Sequence, residues 1–136
     1  MTDITGIMAA GLVGTLAAGL AWQINRRLTI LGALGVLLGA PVIEEFIKTG
    51  LALMASVSVP WVHVCFGLCE AVCEWRQAKS ITLAVALGVV SHACFGLVTA
   101  GLILEGWHPV LAIAMAVIFH MVWNSSVWYF ARRLTE

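Results

Sequence analysis

Apolar positions in this chain come in long runs rather than in the one-sided stripes of a soluble helix. Hydrophobic stretches cover about residues 4–24, 28–57, 60–76, 81–104 and 109–131, with short polar links between them. As helices rising about 1.5 Å per residue, such runs approach or exceed the roughly 30 Å of a bilayer's hydrocarbon layer. The pattern predicts an all-α fold: a polytopic membrane helix bundle of about five transmembrane helices, forming one integral membrane domain over residues 1–136. The first run is preceded by Asp3 and no basic residue, which predicts a retained helix rather than a cleaved leader. The second exceeds the length of a straight span and contains Pro41, which removes a helical hydrogen bond just before Glu44. That proline reads either as an ordinary transmembrane kink or as a device that turns freed backbone groups toward a cavity.

Composition agrees with this picture. Of 136 residues, 62% are hydrophobic and only 10% charged, and the mean hydropathy of +1.03 lies far from that of a soluble domain. The formal net charge of zero argues against nucleic acid as a partner. Apart from Lys48, every Lys and Arg falls in the first link (Arg26, Arg27), the third link (Arg76, Lys79) or the C-terminal tail (Arg132, Arg133). Five spans put these segments on one face, so the positive-inside rule predicts an outside N-terminus and a cytoplasmic C-terminus in a plasma or inner membrane. Trp22, Trp61, Trp75, Trp107 and Trp128 fall at span ends, where an aromatic belt belongs, and Trp123 does not. Cys65, Cys69, Cys73 and Cys94 lie inside apolar runs and read as small packing residues rather than disulfides or a thiolate metal site. Gly6, Ala10, Gly14 and Ala18 form a small-residue face that permits close helix approach, and such faces also permit a homodimer.

Against this background the stretch Ala40–Gly50 stands out, because it carries Glu44, Glu45 and Lys48. An ionisable side chain at a bilayer centre costs roughly 2.5–3.5 kcal/mol on insertion scales, so three together imply partners or a wet cavity. Glu70, His92 and His120 lie at similar depth, about ten to sixteen residues into their runs at helical rise. Small residues flank both histidines at i,i+4 spacing, in the stripes Ala84, Gly88, His92, Gly96, Ala100 and Ala112, Ala116, His120, Asn124. Each residue alone has a plain reading: Glu44 or Glu45 with Lys48 as a structural ion pair, the histidines and Asn124 as interhelical hydrogen-bonding groups, Phe66 as core. His63 and His108 read as incidental residues near the outer surface. Together, the set suits water activation. In a metal-free scheme a carboxylate polarises water, the imidazoles orient it and Asn124 donates to the oxyanion. In a metal scheme His92, His120 and a glutamate, Glu70, coordinate zinc while another glutamate acts as base. The two schemes stay open on the residues alone.

Taken in order, Ala-Pro-x-x-Glu-Glu-x-x-Lys (Ala40 to Lys48), Phe-x-x-x-Glu (Phe66 to Glu70), a mid-span His followed by small residues (His92 to Gly96) and His-x-x-x-Asn (His120 to Asn124) resemble PrsW-type intramembrane proteases. That family is similar in turn to the CAAX-processing and Abi membrane proteases, whose usual pattern is Glu-Glu-x-x-x-Arg, Phe-x-x-x-His and His-x-x-x-Asn/Asp. Here Lys48 stands one position before the place of the Arg, and Glu70 replaces the first His, which fits the PrsW branch. The resemblance implies a membrane-embedded peptidase acting on a membrane-anchored protein or peptide. It implies that Glu44 and Glu45 activate the water, that Glu70, His92 and His120 share catalytic or metal-ligand duty, and that Asn124 steadies the oxyanion. Two other classes fit the polar residues: a proton-coupled transporter or channel, for which no inverted repeat is visible, and a non-catalytic scaffold or immunity protein.

Overall fold

Helices joined by links of a few residues lie antiparallel to their neighbours. The computed structural model, which describes residues 3–78 and 83–133, is an antiparallel bundle of α1 (Ile4–Leu28), α2 (Ala40–Met54), α3 (Val59–Ala78), α4 (Leu83–Leu104) and α5 (Pro109–Arg133), with no strand among the described residues. Lys79 and the expected start of the fourth span at residue 81 lie outside the described residues. The shortest helix, α2, is central and packs on α1, α3 and α5; α3 also packs along α1 and α4, and α4 along α5.

Local chemistry explains the ends. Asp3 caps α1, its carboxylate accepting from the Gly6 N–H at 2.8 Å, and that bond holds its carboxyl below the usual carboxylate range. Pro60 and Pro109 stand in the first turns of α3 and α5, where no partner for their nitrogen is needed. Gly106, at φ +87°, makes the α4–α5 turn in a region that favours glycine.

The α1–α2 junction differs from expectation. α1 runs on to Leu28, so Asn25, Arg26 and Arg27 are helical rather than a link, since neither Asn nor Arg breaks a helix. The break comes after a 3-10 turn, Thr29–Leu31, at Gly32, whose φ of +59° and ψ of −138° only glycine adopts without strain. The helix that resumes is wound as a π-helix over Gly35–Gly39 before α2 begins. There the Ala40 N–H reaches back to the Gly35 carbonyl, and Pro41, one step on, has no N–H. The Val36 carbonyl is therefore left without a helical donor.

Packing is inverted relative to a soluble protein. Lys48, Glu45 and His63 are among the largest fully buried side chains, whereas Leu12, Leu97, Val122 and many other large apolar residues are exposed. The stretches Ile4–Leu31, Val85–Leu104 and Pro109–Phe130 are long and apolar enough to cross a membrane. Among the described residues α2 and α3 do not join them, because α2 has 15 residues and α3 carries Glu70, Glu74 and Arg76. The basic residues in the last turns of α1, α3 and α5 share one end of the bundle. Small residues draw α1 onto α3, where a Cβ placed on Gly14 would come within 2.7 Å of the Cys65 Cβ. The four cysteines are free thiols.

Candidate functional site

α2 places Glu44, Glu45 and Lys48 inside the bundle, with Glu45 and Lys48 wholly buried. One helical turn lets the Lys48 ammonium reach Glu45 Oε1 at 2.6 Å. The same ammonium lies 4.4 Å from the centre of the Phe66 ring and 3.2 Å from His92 Nδ1. An ammonium can only donate, so His92 Nδ1 accepts and the proton of this imidazole sits on Nε2. That N–H donates to Glu70 Oε2 at 2.6 Å. Both nitrogens of His92 are thus engaged.

His120 is oriented from two sides. Its Nδ1 donates to Glu45 Oε1 at 2.8 Å, and Phe95 stacks on its ring at a centroid distance of 5.0 Å. The Nε2 lone pair then faces Glu44 Oε2 at 3.7 Å. The other oxygen of Glu44 accepts from the Asn25 side-chain amide at 2.8 Å. Glu44 Oε2 is buried and has no hydrogen-bond partner, a costly state that invites a ligand or water.

A cavity of about 650 Å³ meets these groups, with Glu44, Glu70, His92, His120, Trp123 and Asn124 in its wall. It extends to Trp22, Arg26 and Trp128, and so toward the end of the bundle that carries the basic last turns. Asn124 donates to the Val36 carbonyl at 3.4 Å, supplying the bond that the π-wound segment and Pro41 leave open. Backbone freed by the proline is in this way tied to the cavity wall.

Glu44, His92 and His120 each have a ligand atom within 4.8 Å of the others, a donor set of the kind zinc takes. Glu44 stands there in the place expected of Glu70, which instead holds His92. A metal needs a free lone pair from each ligand, and His92 offers none while Lys48 and Glu70 occupy its two nitrogens. Lys48 also sets a positive charge at 3.2 Å from that ring. As these side chains stand, they do not fit zinc. Glu44 Oε2 and His120 Nε2, 3.7 Å apart, are spaced so that a water placed between them would lie about 2.8 Å from both atoms.

Of the residues singled out in the sequence, Glu44, Glu70, His92, His120 and Asn124 line one cavity, while Glu45 and Lys48 lie behind it as the link between the two histidines. Three participants were missed. Asn25 falls in the polar link between the first two apolar runs, although its position three residues after Trp22 continues a helix face. His63 reads from the sequence as incidental and near the outer surface, yet it is wholly buried, with Nδ1 3.7 Å from Glu45 Oε2 and Nε2 3.2 Å from the Thr49 hydroxyl. The signal for it was its spacing of seven from Glu70, two turns along one face. Thr49, one turn beyond Glu45, carried the same signal. Compared with protein-family models, curated proteins and solved structures, the chain matches none of them.

Proposed function

We propose that this protein is an intramembrane peptidase that hydrolyses a peptide bond of a membrane-anchored protein, using a water held between Glu44 and His120 without a metal. The observation that carries this reading is the buried, unpartnered Glu44 Oε2, 3.7 Å from the His120 Nε2 lone pair at the wall of a 650 Å³ cavity.

Glu44 takes a proton from that water as its oxygen attacks the peptide carbonyl carbon, forming the new C–O bond and placing negative charge on the carbonyl oxygen. His120 orients the water through its lone pair, because Glu45 holds the ring's proton on the opposite nitrogen. The Asn124 amide has a second N–H beside the one given to Val36, and that donor suits the oxyanion. As the C–N bond breaks, Glu44 returns the proton to the leaving amine nitrogen. Lys48 neutralises Glu45 and, with Glu70, fixes the His92 ring beside the site.

The ordered motifs resembling PrsW-type proteases support the same activity. The basic ends of α1, α3 and α5 support a multi-pass protein of the plasma or inner membrane with a cytoplasmic C-terminus. The test is cleavage of a single-span substrate by purified protein in liposomes. Glu44→Gln and His120→Ala each lower turnover by on the order of 10²–10⁴ while helicity is kept. Unchanged turnover overturns the assignment, and proton flux without peptide would replace it with transport.

A further inference from the structure

A second cavity, of about 480 Å³, lies between α1 and α3 and shares Trp22, Asn25, Glu70 and Glu74 with the first. Away from the shared residues its walls are small: Ala18 and Gly19 on α1, Cys69 and Cys73 on α3. A Cβ placed on Gly19 would meet nothing within 4 Å. Of the wall residues that the two cavities share, Asn25 is hydrogen-bonded to Glu44 at 2.8 Å.

We infer that this seam admits the cytoplasmic end of another protein's single transmembrane helix, and that Glu74 receives a lysine or arginine just beyond that helix's apolar run. The inference rests on the peptidase reading and names its substrate class. Three observations favour this occupant over a plain acyl chain. First, the rim is acidic: Glu70 is tied only to His92, and Glu74 forms no ion pair among the described residues. Arg26, the basic residue in the same wall, is instead laid over the Trp22 ring at 4.8 Å. An acyl chain has no use for carboxylates, whereas single-span proteins carry Lys or Arg on their cytoplasmic flank, at the end where α1, α3 and α5 carry theirs. Second, the narrow side chains of the wall suit an extended backbone better than an intact helix about 10 Å across. Third, Asn25, a residue of the wall common to both cavities, keeps a buried Oδ1 without a partner, an acceptor that a peptide N–H would satisfy.

Glu74 and Glu70 lie one turn apart on α3, so a cation held by Glu74 leads the chain past Glu70 toward His92 and Glu44. Recognition then falls on charge at the rim and on chain width in the seam, with the scissile bond on the site side of the bound cation.

The experiment uses the Glu44→Gln protein in liposomes, so that binding is read without cleavage. The probe is a single-span peptide with one flanking lysine and a photo-crosslinking residue beside it. Crosslinks should map to α1 and α3. Gly19→Leu, which fills open space, and Glu74→Lys should each reduce them at least tenfold, with helicity and elution volume unchanged. A peptide with glutamate in place of the lysine should restore crosslinking to Glu74→Lys. Crosslinks on α4 and α5, insensitivity to the charge swap, crosslinking only between copies of this chain, or only lipid in the seam would each overturn the inference. Cleavage by the wild-type protein is followed in parallel. Specific binding without cleavage would sink the peptidase reading and leave the docking site standing. Cleavage that ignores Gly19→Leu and Glu74→Lys would do the opposite.

Discussion

His63 Nδ1 and Glu45 Oε2 stand 3.7 Å apart, both side chains fully buried and neither atom with a hydrogen-bond partner. Thr49 lies 3.2 Å from the other imidazole nitrogen, and when its hydroxyl donates there, the His63 N–H is directed at Glu45. Glu45 then faces the His63 N–H with one oxygen and is bonded by Lys48 and His120 on the other. His63 is a positioning residue in this scheme, acting on His120 through Glu45. His63→Asn, whose amide N–H can take the place of Nδ1, should keep turnover within a few-fold. His63→Leu should lower kcat on the order of 10- to 100-fold with KM little changed. Equal losses in both variants, read by steady-state kinetics, would reduce His63 to packing.

Lys48 and Glu45 form an ion pair shut off from solvent. Removing one partner strands the other charge, at a cost of about 3–5 kcal/mol. Lys48→Met should therefore destabilise strongly, and Lys48→Met with Glu45→Gln should recover much of the loss. Unfolding of the detergent-solubilised single and double variants gives the coupling directly. Additive losses would show that the two groups do not depend on each other.

Pro41 and Asn124 meet through the Val36 carbonyl. Pro41→Ala restores an N–H and lets the π-wound turn relax to an α-helix, which shifts the register between Gly35 and Glu44. Stability should hold or rise while cleavage falls, because Glu44 turns relative to His120. Asn124→Leu should cost about 1 kcal/mol in stability from the lost hydrogen bond and, under the proposed mechanism, should lower kcat as well, since it also removes the donor assigned to the oxyanion. Retained activity in Pro41→Ala would show that the bulge does not set the catalytic register.

The α1–α3 contact depends on the absence of a side chain at Gly14, where a Cβ would fall 2.7 Å from both the Cys65 Cβ and the Val62 carbonyl oxygen. Gly14→Ala should destabilise by about 1–3 kcal/mol through overpacking. Gly88→Ala has open space around the new carbon and should stabilise by about 0.5–1 kcal/mol through helix propensity. Thermal unfolding of the pair tests whether backbone proximity, rather than glycine content, matters.

With His92 engaged on both nitrogens, the group Glu44, His92 and His120 offers zinc two free ligands as it stands. Purified active protein should contain metal well below one equivalent, and chelator should leave cleavage unchanged. Stoichiometric zinc, with activity lost in chelator and regained on zinc addition, would reverse that conclusion.

Much of the site was legible because charge inside an apolar run is costly. Glu44, Lys48, His92 and His120 announce themselves by where they sit, and their i,i+4 neighbours show which way each helix faces. The rest was hidden for identifiable reasons. Asn25 and Arg26 look like a link because polar residues end a hydropathy run, but hydropathy marks the lipid boundary and not the helix end, which Gly32 sets through its backbone angles. His63 looks peripheral by its distance from the span end, but its helix face is what places it in the interior. The division of labour between Glu44 and Glu45 follows from a 100° step around α2, which puts one in the cavity wall and the other behind it. Where Lys48 places its protons, which bears on zinc against a bare water, is likewise something that spacing along the chain does not encode.

Phe95 covers one face of the His120 imidazole, at an interplanar angle of 28°. A ring covered in this way meets its neighbour when it turns over. Shape therefore guards which nitrogen looks outward even at moments when the carboxylate behind it lets go. A smaller side chain at position 95 would give the imidazole a second resting pose with its edges exchanged, and the proposed hydrolysis would falter intermittently, one molecule at a time, with no visible change in the fold.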